Sequence, residues 1–289
     1  MSDLQTTSRE GPSDLHAGAA AAALAAAAHA GVEIRLLDSL PEFEAASGLI
    51  ARVWSDDDPK APAALLRALS HAGNFVAGAF SDGELVGVSI GFFGRDDGDD
   101  DIHLHSHITG VDARFQNRSV GFALKQFQRG WALEHGARSI RWTADPLVRR
   151  NLYFNLVKLG ATVVSYHADF YGPILDGVNG PGQSDRVLFD WELGSPRAVR
   201  IADAQPVETA AAPGTIVLQA GPDGNPVASS PDGETLLIWV PDDIVGLRRD
   251  DPEQAAAWRQ AMRLAAGRAL ADGYRAEAIT RGGWLVLTR

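Results

Sequence analysis

Apolar residues recur at two spacings along the chain, and their alternation predicts a mixed α/β protein. Spacings of three and four residues, typical of a helix with one buried face, occur in five segments: 41–54, 61–72, 119–135, 149–159 and 252–271. Short β-rich runs predict strands at 32–38, 102–111, 139–145, 162–172, 186–193 and 235–240. Residues 74–94 predict a hairpin, because two such runs flank the turn sequence Ser81-Asp82-Gly83.

Composition divides the chain into four stretches. An alanine-rich tail, helical or disordered, precedes a main domain, and a shorter C-terminal α/β unit follows a stretch rich in Pro, Gly, Ala and Asp that is typical of a linker or loops. The C-terminal unit resembles half a domain and is expected to pack on the first. The expected bounds are 1–30, 31–195, 196–233 and 234–289. Further loops are expected at 95–101, which is acidic, and at 173–185.

Charge and composition exclude several classes of protein. The net charge of −11 over 289 residues argues against nucleic acid as the main partner, since such binding rests on neutralised phosphates. The chain has no cysteine, which excludes thiolate metal sites and a cysteine nucleophile. No apolar run reaches the ~20 residues that cross a bilayer. Residues 17–30 resemble the apolar part of a signal peptide, but their upstream flank is not net basic, so the expected location is the cytoplasm.

One segment has a net positive charge, although the chain as a whole is acidic. Residues 102–160 carry nine basic side chains and three acidic ones, a local balance of +6. Within it, a polar turn at 112–119 opens the helix 119–135. A helix N-terminus presents unpaired N–H groups and the positive end of the helix dipole, which together hold a phosphate. A small anionic ligand is therefore expected here.

The candidate phosphate-binding turn has a plain alternative, an ordinary capped helix start. Arg118 either contacts the phosphate directly or is a solvated surface charge. Ser119 is small and a good N-cap, and it costs about 1 kcal/mol if its position needs a positive φ. The residues of this cradle are Gln116, Asn117, Arg118, Ser119, Val120 and Gly121.

Three alternating histidines precede the turn. In a regular strand, His103, His105 and His107 lie on one face. An imidazole there suits acid/base catalysis or substrate contact at neutral pH. The same spacing also occurs among metal ligands, and a structural, hydrogen-bonded histidine is the third alternative. No carboxylate motif nearby completes a metal site, so no metal is expected.

The order of elements, together with two stretches of sequence, resembles the GNAT acyltransferase family. The signature (Arg/Gln)-x-x-Gly-x-(Gly/Ala) of that family corresponds to Gln116-Asn117-Arg118-Ser119-Val120-Gly121. The segments LHSHITGV and TADPLVRRNLYFNLVKLGA are similar to a subgroup of predicted acetyltransferases that includes amino-acid N-succinyltransferase-like members. The resemblance implies a mixed, mainly antiparallel sheet flanked by helices, with a smaller C-terminal α/β unit.

The resemblance also implies site residues. The cradle, preceded by Val111, would bind the CoA pyrophosphate, and Asn151 and Asn155 are polar groups that would touch CoA. The tyrosine that protonates the thiolate in the family is replaced by Leu156, which leaves Tyr153 as the nearest substitute or as a core residue. Further candidates have open alternatives. Asp145 either binds the acceptor ammonium or orients a base, or it forms a turn; Arg149 either binds a substrate carboxylate or CoA phosphate, or it is solvated.

The expected function is transfer of an acetyl or succinyl group from acetyl-CoA or succinyl-CoA to the amine of a small molecule, most plausibly an amino acid. His105, His107, Asp145 and Tyr153 are the catalytic candidates. No metal, nucleic acid or membrane is expected, and a homodimer is left open. Two other classes compete: a CoA-binding protein with weak or lost catalysis, and a hydrolase with a metal bound to the three histidines.

Overall fold

The computed structural model describes residues 12–54, 61–96, 101–172, 183–205 and 213–289. The start of the alanine-rich tail, most of the acidic loop, most of the loop expected at 173–185, and part of the expected linker lie outside the described residues.

The described helices follow the predicted helical segments closely, and three helices are added, one in the alanine-rich tail, one in the expected linker and one just before the last predicted helix. Their bounds are α1 Pro12–Ala30, α2 Leu40–Trp54, α3 Ala63–His71, α4 Val120–Glu134, α5 Arg149–Tyr153, α6 Pro196–Ala202, α7 Ile244–Asp250 and α8 Pro252–Ala271. A single 3₁₀ turn, Ala113–Phe115, lies between the fourth strand and α4. Helix α5 continues as a π-helical segment, Phe154–Leu159.

Twelve strands form one sheet in the described residues. They are β1 Glu33–Leu36, β2 Phe75–Ser81, β3 Glu84–Arg95, β4 Ile102–Val111, β5 Ser139–Ala144, β6 Thr162–His167, β7 Arg186–Glu192, β8 Thr215–Ala220, β9 Pro226–Ala228, β10 Thr235–Trp239, β11 Arg275–Ile279 and β12 Trp284–Thr288. Their order across the sheet is β1-β2-β3-β4-β5-β7-β6-β11-β12-β10-β8-β9. Only β4–β5 and β8–β10 pair in parallel, so the mainly antiparallel fold class is confirmed.

Helices cover both faces of the first half of the sheet. Helices α2 and α3 pack on one face, where Leu49 and Leu66 join Ile108 in one cluster. Helix α4 packs on the other face, and its apolar stripe includes Val120, Leu124 and Trp131, all buried. The stripe follows the helical period. This places the N-terminus of α4 directly after β4, where the site is built.

The expectation of a linker or loops at 196–233 is wrong for much of that stretch. Ser195 caps α6 by accepting a hydrogen bond from the Ala198 N–H at 3.2 Å, and β8 and β9 form the far edge of the sheet. Val217 and Leu218 are buried there. Proline and glycine between these short elements dominate the composition and hide the elements themselves.

The C-terminal unit continues the sheet of the first half. Strand β11 pairs with β6 through Ala276 and Val163. The bidentate ion pair of Arg263 with Asp185, at 2.9 and 2.5 Å, ties α8 to the start of β7. Both carboxylate oxygens are thereby engaged, and Tyr166 donates a further bond to Asp185 at 2.6 Å.

Residues 12–30 of the alanine-rich tail form helix α1, so this part of the tail is helical rather than disordered. Ala19, Ala22, Ala23 and Ala26 are buried, and the Ala19 carbonyl approaches Gly130 of α4. Small side chains allow two helices to approach closely, so this helix is held by packing of small residues rather than by a stripe of large ones. No helix within the described residues is long and apolar enough to cross a membrane.

Candidate functional site

Strands β4 and β5 pair at one end only and then separate. Their parallel register covers His103–Ser139, Leu104–Ile140 and His105–Arg141, whereas β4 continues to Val111 and β5 to Ala144. On its other side β4 stays paired with β3 as far as Val111. The edge of β4 from Ser106 onward therefore faces an opening between the two strands.

A β-bulge lies where this opening begins. Ile90 pairs with Ile108 and Gly91 with Ser106, which leaves His107 as the extra residue on β4. A bulge shifts the alternation of side chains. Ser106 and Thr109, three residues apart, consequently both lie on the side of α4. The Ser106 hydroxyl accepts from Lys125 of α4, and the Thr109 hydroxyl lies 2.9 Å from Ser89 Oγ, which accepts from Gln128 of α4.

The histidines lie on the face opposite α4, and two of them are neighbours. The rings of His105 and His107 are 6.2 Å apart, and both lie against Phe92, at 5.0 and 5.8 Å. Burial, and then the charges of His107, His103 and Lys125, lower the pKa of His105 from 6.5 to about 4. Partial desolvation also lowers the pKa of His107. Both imidazoles are therefore neutral at neutral pH, the form in which histidine accepts a proton.

The turn between β4 and α4 is exposed and locally left-handed. Asp112 begins it by accepting from the Arg114 N–H at 3.0 Å. Asn117 and Ser119 have φ values of 62° and 63°, and Ser119 is the N-cap of α4 without a side-chain capping bond. Ser119 thus meets the condition, a positive φ, under which serine is less favourable than glycine.

Gly121 lies in open space at the head of α4. A methyl group added there would meet only the Val111 side chain, at 3.9 Å. The first N–H groups of a helix have no partner within the helix, so α4 directs them at the turn. The Arg118 guanidinium lies 5.3 Å from the Phe115 ring beside them. These features are those of an anion cradle with room for a ligand close to the main chain.

We expect Ser119→Gly to stabilise the protein by about 0.5–1 kcal/mol, because glycine relieves the left-handed strain and this gain exceeds the entropy that glycine adds to the unfolded chain. Urea denaturation measures the free energy of unfolding. Asn117→Gly is the matched control, since asparagine tolerates this conformation better and the gain should be smaller. Equal or lower stability of Ser119→Gly would contradict the strain.

Ion pairs in the fold neutralise much of the net positive charge of residues 102–160. Ion pairs engage Arg114 with Glu84 and Asp112, and Arg141 with Asp96 and Asp190. Arg129 is buried and donates to the Leu193 carbonyl at 3.0 and 2.8 Å. The local +6 thus overstates the field at the cradle, where Arg118 is exposed and the other turn arginine, Arg114, is ion-paired.

Lys125 is a feature of the site that sequence reasoning missed. Its side chain is buried, and its ammonium donates to Ser106 Oγ at 2.7 Å and to Gln128 Oε1 at 3.0 Å. It also lies 4.1 Å from the centre of the Trp142 ring. Burial lowers the pKa of Lys125 from 10.5 to about 7. Lys125 does not share the apolar stripe of Val120, Leu124 and Trp131, and lysine is rarely fully buried, so no signal in the sequence pointed to its burial.

Asp145 and Arg149 face the C-terminal unit. Asp145 accepts from the Leu147 N–H at 2.9 Å and pairs with Arg248 at 2.5 Å, which is the turn-forming alternative left open by the sequence. Arg149 donates to the Val240 carbonyl at 2.9 Å, pairs with Asp242 and lies over Trp239. Either residue would have to exchange these partners to bind an acceptor, so their substrate roles stay predictions.

The remaining candidates lie along α5 and the π-helical segment. Asn151 is exposed, Asn155 is buried and Tyr153 is half-buried against the main core. Leu156 is fully buried. The roles of Asn151, Asn155 and Tyr153 stay predictions. Among the described residues, no group of three or more His, Asp or Glu side chains is arranged to hold a metal ion.

A comparison with protein families identifies a domain in the part of the chain that forms this site. Residues 40–154, which include α2 to α5, match the model of the acetyltransferase (GNAT) family. This part of the chain is therefore a domain of the GNAT acetyltransferase family. The subgroup with amino-acid N-succinyltransferase-like members is not distinguished by this match.

Solved structures with the same kind of domain cover about half of the chain. The ribosomal-protein-S18-alanine N-acetyltransferase of Escherichia coli is 14% identical, with 56% of this chain and 94% of that one covered and a TM-score of 0.46. A GNAT acetyltransferase from Elizabethkingia anophelis with acetyl-CoA bound is 16% identical, with 56% and 98% covered and a TM-score of 0.42. A soil-metagenome aminoglycoside acetyltransferase in complex with sisomicin is 20% identical, with 43% and 84% covered and a TM-score of 0.39. No curated protein sequence matches the chain significantly.

Proposed function

We propose that this protein is a CoA-dependent N-acyltransferase that moves an acetyl or succinyl group to the amine of a small molecule, an amino acid in the first instance. One observation carries the proposal: an open anion cradle at the head of α4 adjoins the opening where β4 and β5 separate. A cradle for a pyrophosphate and an unpaired strand edge for an amide-containing arm are together what an acyl-CoA requires.

The two faces of the opening suit the two substrates. On the α4 face, the cradle residues and the edge of β4 would hold CoA and place its thioester near the bulge. On the other face, His105 and His107 lie beside Phe92, and Tyr171 lies 3.2 Å from the Thr143 hydroxyl of β5. The acceptor amine would enter there and lose a proton to an imidazole as its nitrogen attacks the acyl carbon.

His107 is the better base of the pair. It is exposed on β4, whereas His105 is half-buried and has a pKa of about 4, which makes it a weak base. A base with a pKa closer to the working pH transfers protons more effectively. His105 would then help to keep His107 in place through its neighbouring ring, 6.2 Å away.

An amino-acid acceptor is the finer part of the proposal. It is supported by the sequence resemblance to amino-acid N-acylating relatives and by Arg118 and Arg150, which are exposed. Exposed cations attract a carboxylate at low ionic strength, and the attraction weakens with salt. Arg149 remains a candidate carboxylate ligand only if it leaves Val240 and Asp242.

A panel of acyl donors and amines tests this function. Acetyl-CoA and succinyl-CoA are each offered with free amino acids, with the corresponding amides and with alkylamines, while CoA release is measured. Release of CoA that depends on a free amino acid is the expected result. Equal rates with amides would reject the carboxylate and keep the acyl transfer, and no amine-dependent release would reject acyl transfer.

CoA binding without turnover is the competing function, and Leu156 favours it. This side chain is fully buried and offers no proton at the position where the family resemblance places a tyrosine. A CoA-induced rise in melting temperature without release of CoA from acyl-CoA in the panel would support this alternative.

A further inference from the structure

Lys125 lies at the point where β4 and β5 separate. The last residues that pair between the two strands are His105 and Arg141. Ser106 and Trp142 are the next residues on each strand, and the Lys125 ammonium contacts both, at 2.7 Å from Ser106 Oγ and 4.1 Å from the Trp142 ring centre. A single charged group thus spans the base of the opening.

The surroundings of this ammonium are neutral. Gln128 on α4 accepts one bond at 3.0 Å and itself donates to Ser89 Oγ on β3 at 3.3 Å. Trp142 on β5 supplies a ring face. The titratable group that shares the field of Lys125 is His105, whose pKa the lysine charge lowers. A buried cation held only by neutral groups costs stability, and such a cost is typical of functional sites.

We infer that Lys125 and Ser106 form a proton relay to the leaving sulfur of the acyl donor, in which the Ser106 hydroxyl touches the sulfur and Lys125 acts through it as a positioning residue. This inference rests on the proposed acyl transfer. It also replaces the tyrosine that is absent at Leu156 with a different donor, Ser106 on β4, which Lys125 on α4 supports.

Each bond formed in the relay is matched by a bond broken. The amine nitrogen bonds to the acyl carbon, the carbon–sulfur bond breaks, and its electron pair stays on sulfur. Ser106 Oγ gives its proton to sulfur and takes one from Lys125 Nζ, which becomes neutral. The proton that the amine loses goes to His107, and solvent returns a proton to Lys125. A lysine with a pKa of about 7 releases and regains that proton readily near neutral pH.

Kinetics of Ser106→Ala, Lys125→Met and the double variant test the relay. Each single substitution should lower kcat by about 10²-fold with little change in CoA affinity, and the double variant should be no slower, because the two groups act as one unit. Ser106→Thr keeps the hydroxyl and should retain most of the activity. Lys158→Met removes an exposed lysine that makes none of these contacts and is the matched control.

The pH dependence of kcat gives a second measurement, one that a structural lysine would not affect. The relay needs protonated Lys125, so kcat of the wild type should fall as the pH rises through about 7, and this fall should be missing in Lys125→Met. Melting temperatures should rise for Lys125→Met at neutral pH. A lysine pKa lowered from 10.5 to about 7 costs stability as the pH falls between those values, and methionine removes that cost.

The outcomes separate the relay from the proposed function. If the wild type transfers acyl groups and either single variant keeps kcat within about threefold, or if the losses add in the double variant, the relay is rejected and the acyl transfer stands. If the wild type binds no CoA and releases none from acyl-CoA, the proposed function fails and the relay fails with it. Should Lys125→Met not fold, Ser106→Ala against Ser106→Thr decides the same question.

Discussion

Gly121→Val is expected to abolish the rise in melting temperature that CoA produces, while the protein stays folded. The glycine lies in the first turn of α4, and only the Val111 side chain comes within 4 Å of an added Cβ. A valine side chain therefore fits the protein and fills the space that a pyrophosphate needs. Loss of a ligand that binds only the native state removes its stabilisation, about 2.7 kcal/mol at a hundredfold excess over Kd.

Gly18→Val is the matched control for this substitution. Gly18 also lies in a helix, in α1, with no atom within 4 Å of its Cβ position. Its replacement has a similar intrinsic effect on a helix but lies on an exposed surface away from the turn. Thermal unfolding with and without CoA measures both. A CoA-induced shift that survives in a folded Gly121→Val would place the pyrophosphate elsewhere.

His107→Gln is expected to lower kcat/KM by about 10²- to 10³-fold, because glutamine fills the space but accepts no proton from the amine. The pH dependence sharpens the test. Desolvation lowers the pKa of His107 below 6.5, so the neutral base persists to a lower pH than a free imidazole would allow, and activity falls only as the pH drops through that lowered value. This acidic limb should be missing in the variant.

His105→Gln provides the comparison, since His105 has a pKa of about 4 and should contribute less as a base. Initial rates across the pH range, at low acceptor concentration, measure both variants. A larger loss for His105→Gln than for His107→Gln would reverse their assigned roles. Equal activity of His107→Gln and the wild type would remove histidine from the proton transfer.

The helical and strand periods predicted most of the first half of the fold because each element there has one buried face. The helix from 119 and the strand 102–111 are long and strongly patterned, and both occur within a residue or two of the expected bounds. Strand β6 ends at His167 rather than at 172, since the β-rich composition of 162–172 continues past the last ladder pair.

The site was only partly predictable because its key features depend on register. A bulge at His107 cannot be deduced from alternation, since it breaks the alternation. The ion pairs of Asp145 with Arg248 and of Arg149 with Asp242 join residues about a hundred positions apart. The sequence raises a positive φ at Ser119 only as a condition under which serine would be costly, because the resembling family signature has glycine there.

The contact between Arg149 and Gly283 makes the start of α5 depend on the C-terminal hairpin. Gly283 has a φ of 86°, and a Cβ there would overlap the Arg149 guanidinium. The start of α5, beside the opening, is therefore held by a hairpin from the far end of the chain. A truncation before β10 would leave Arg149 without Asp242 and Asp145 without Arg248, so a shortened catalytic fragment would report on an altered site rather than on the enzyme. We therefore expect related proteins to keep the C-terminal unit and the turn after β5 together.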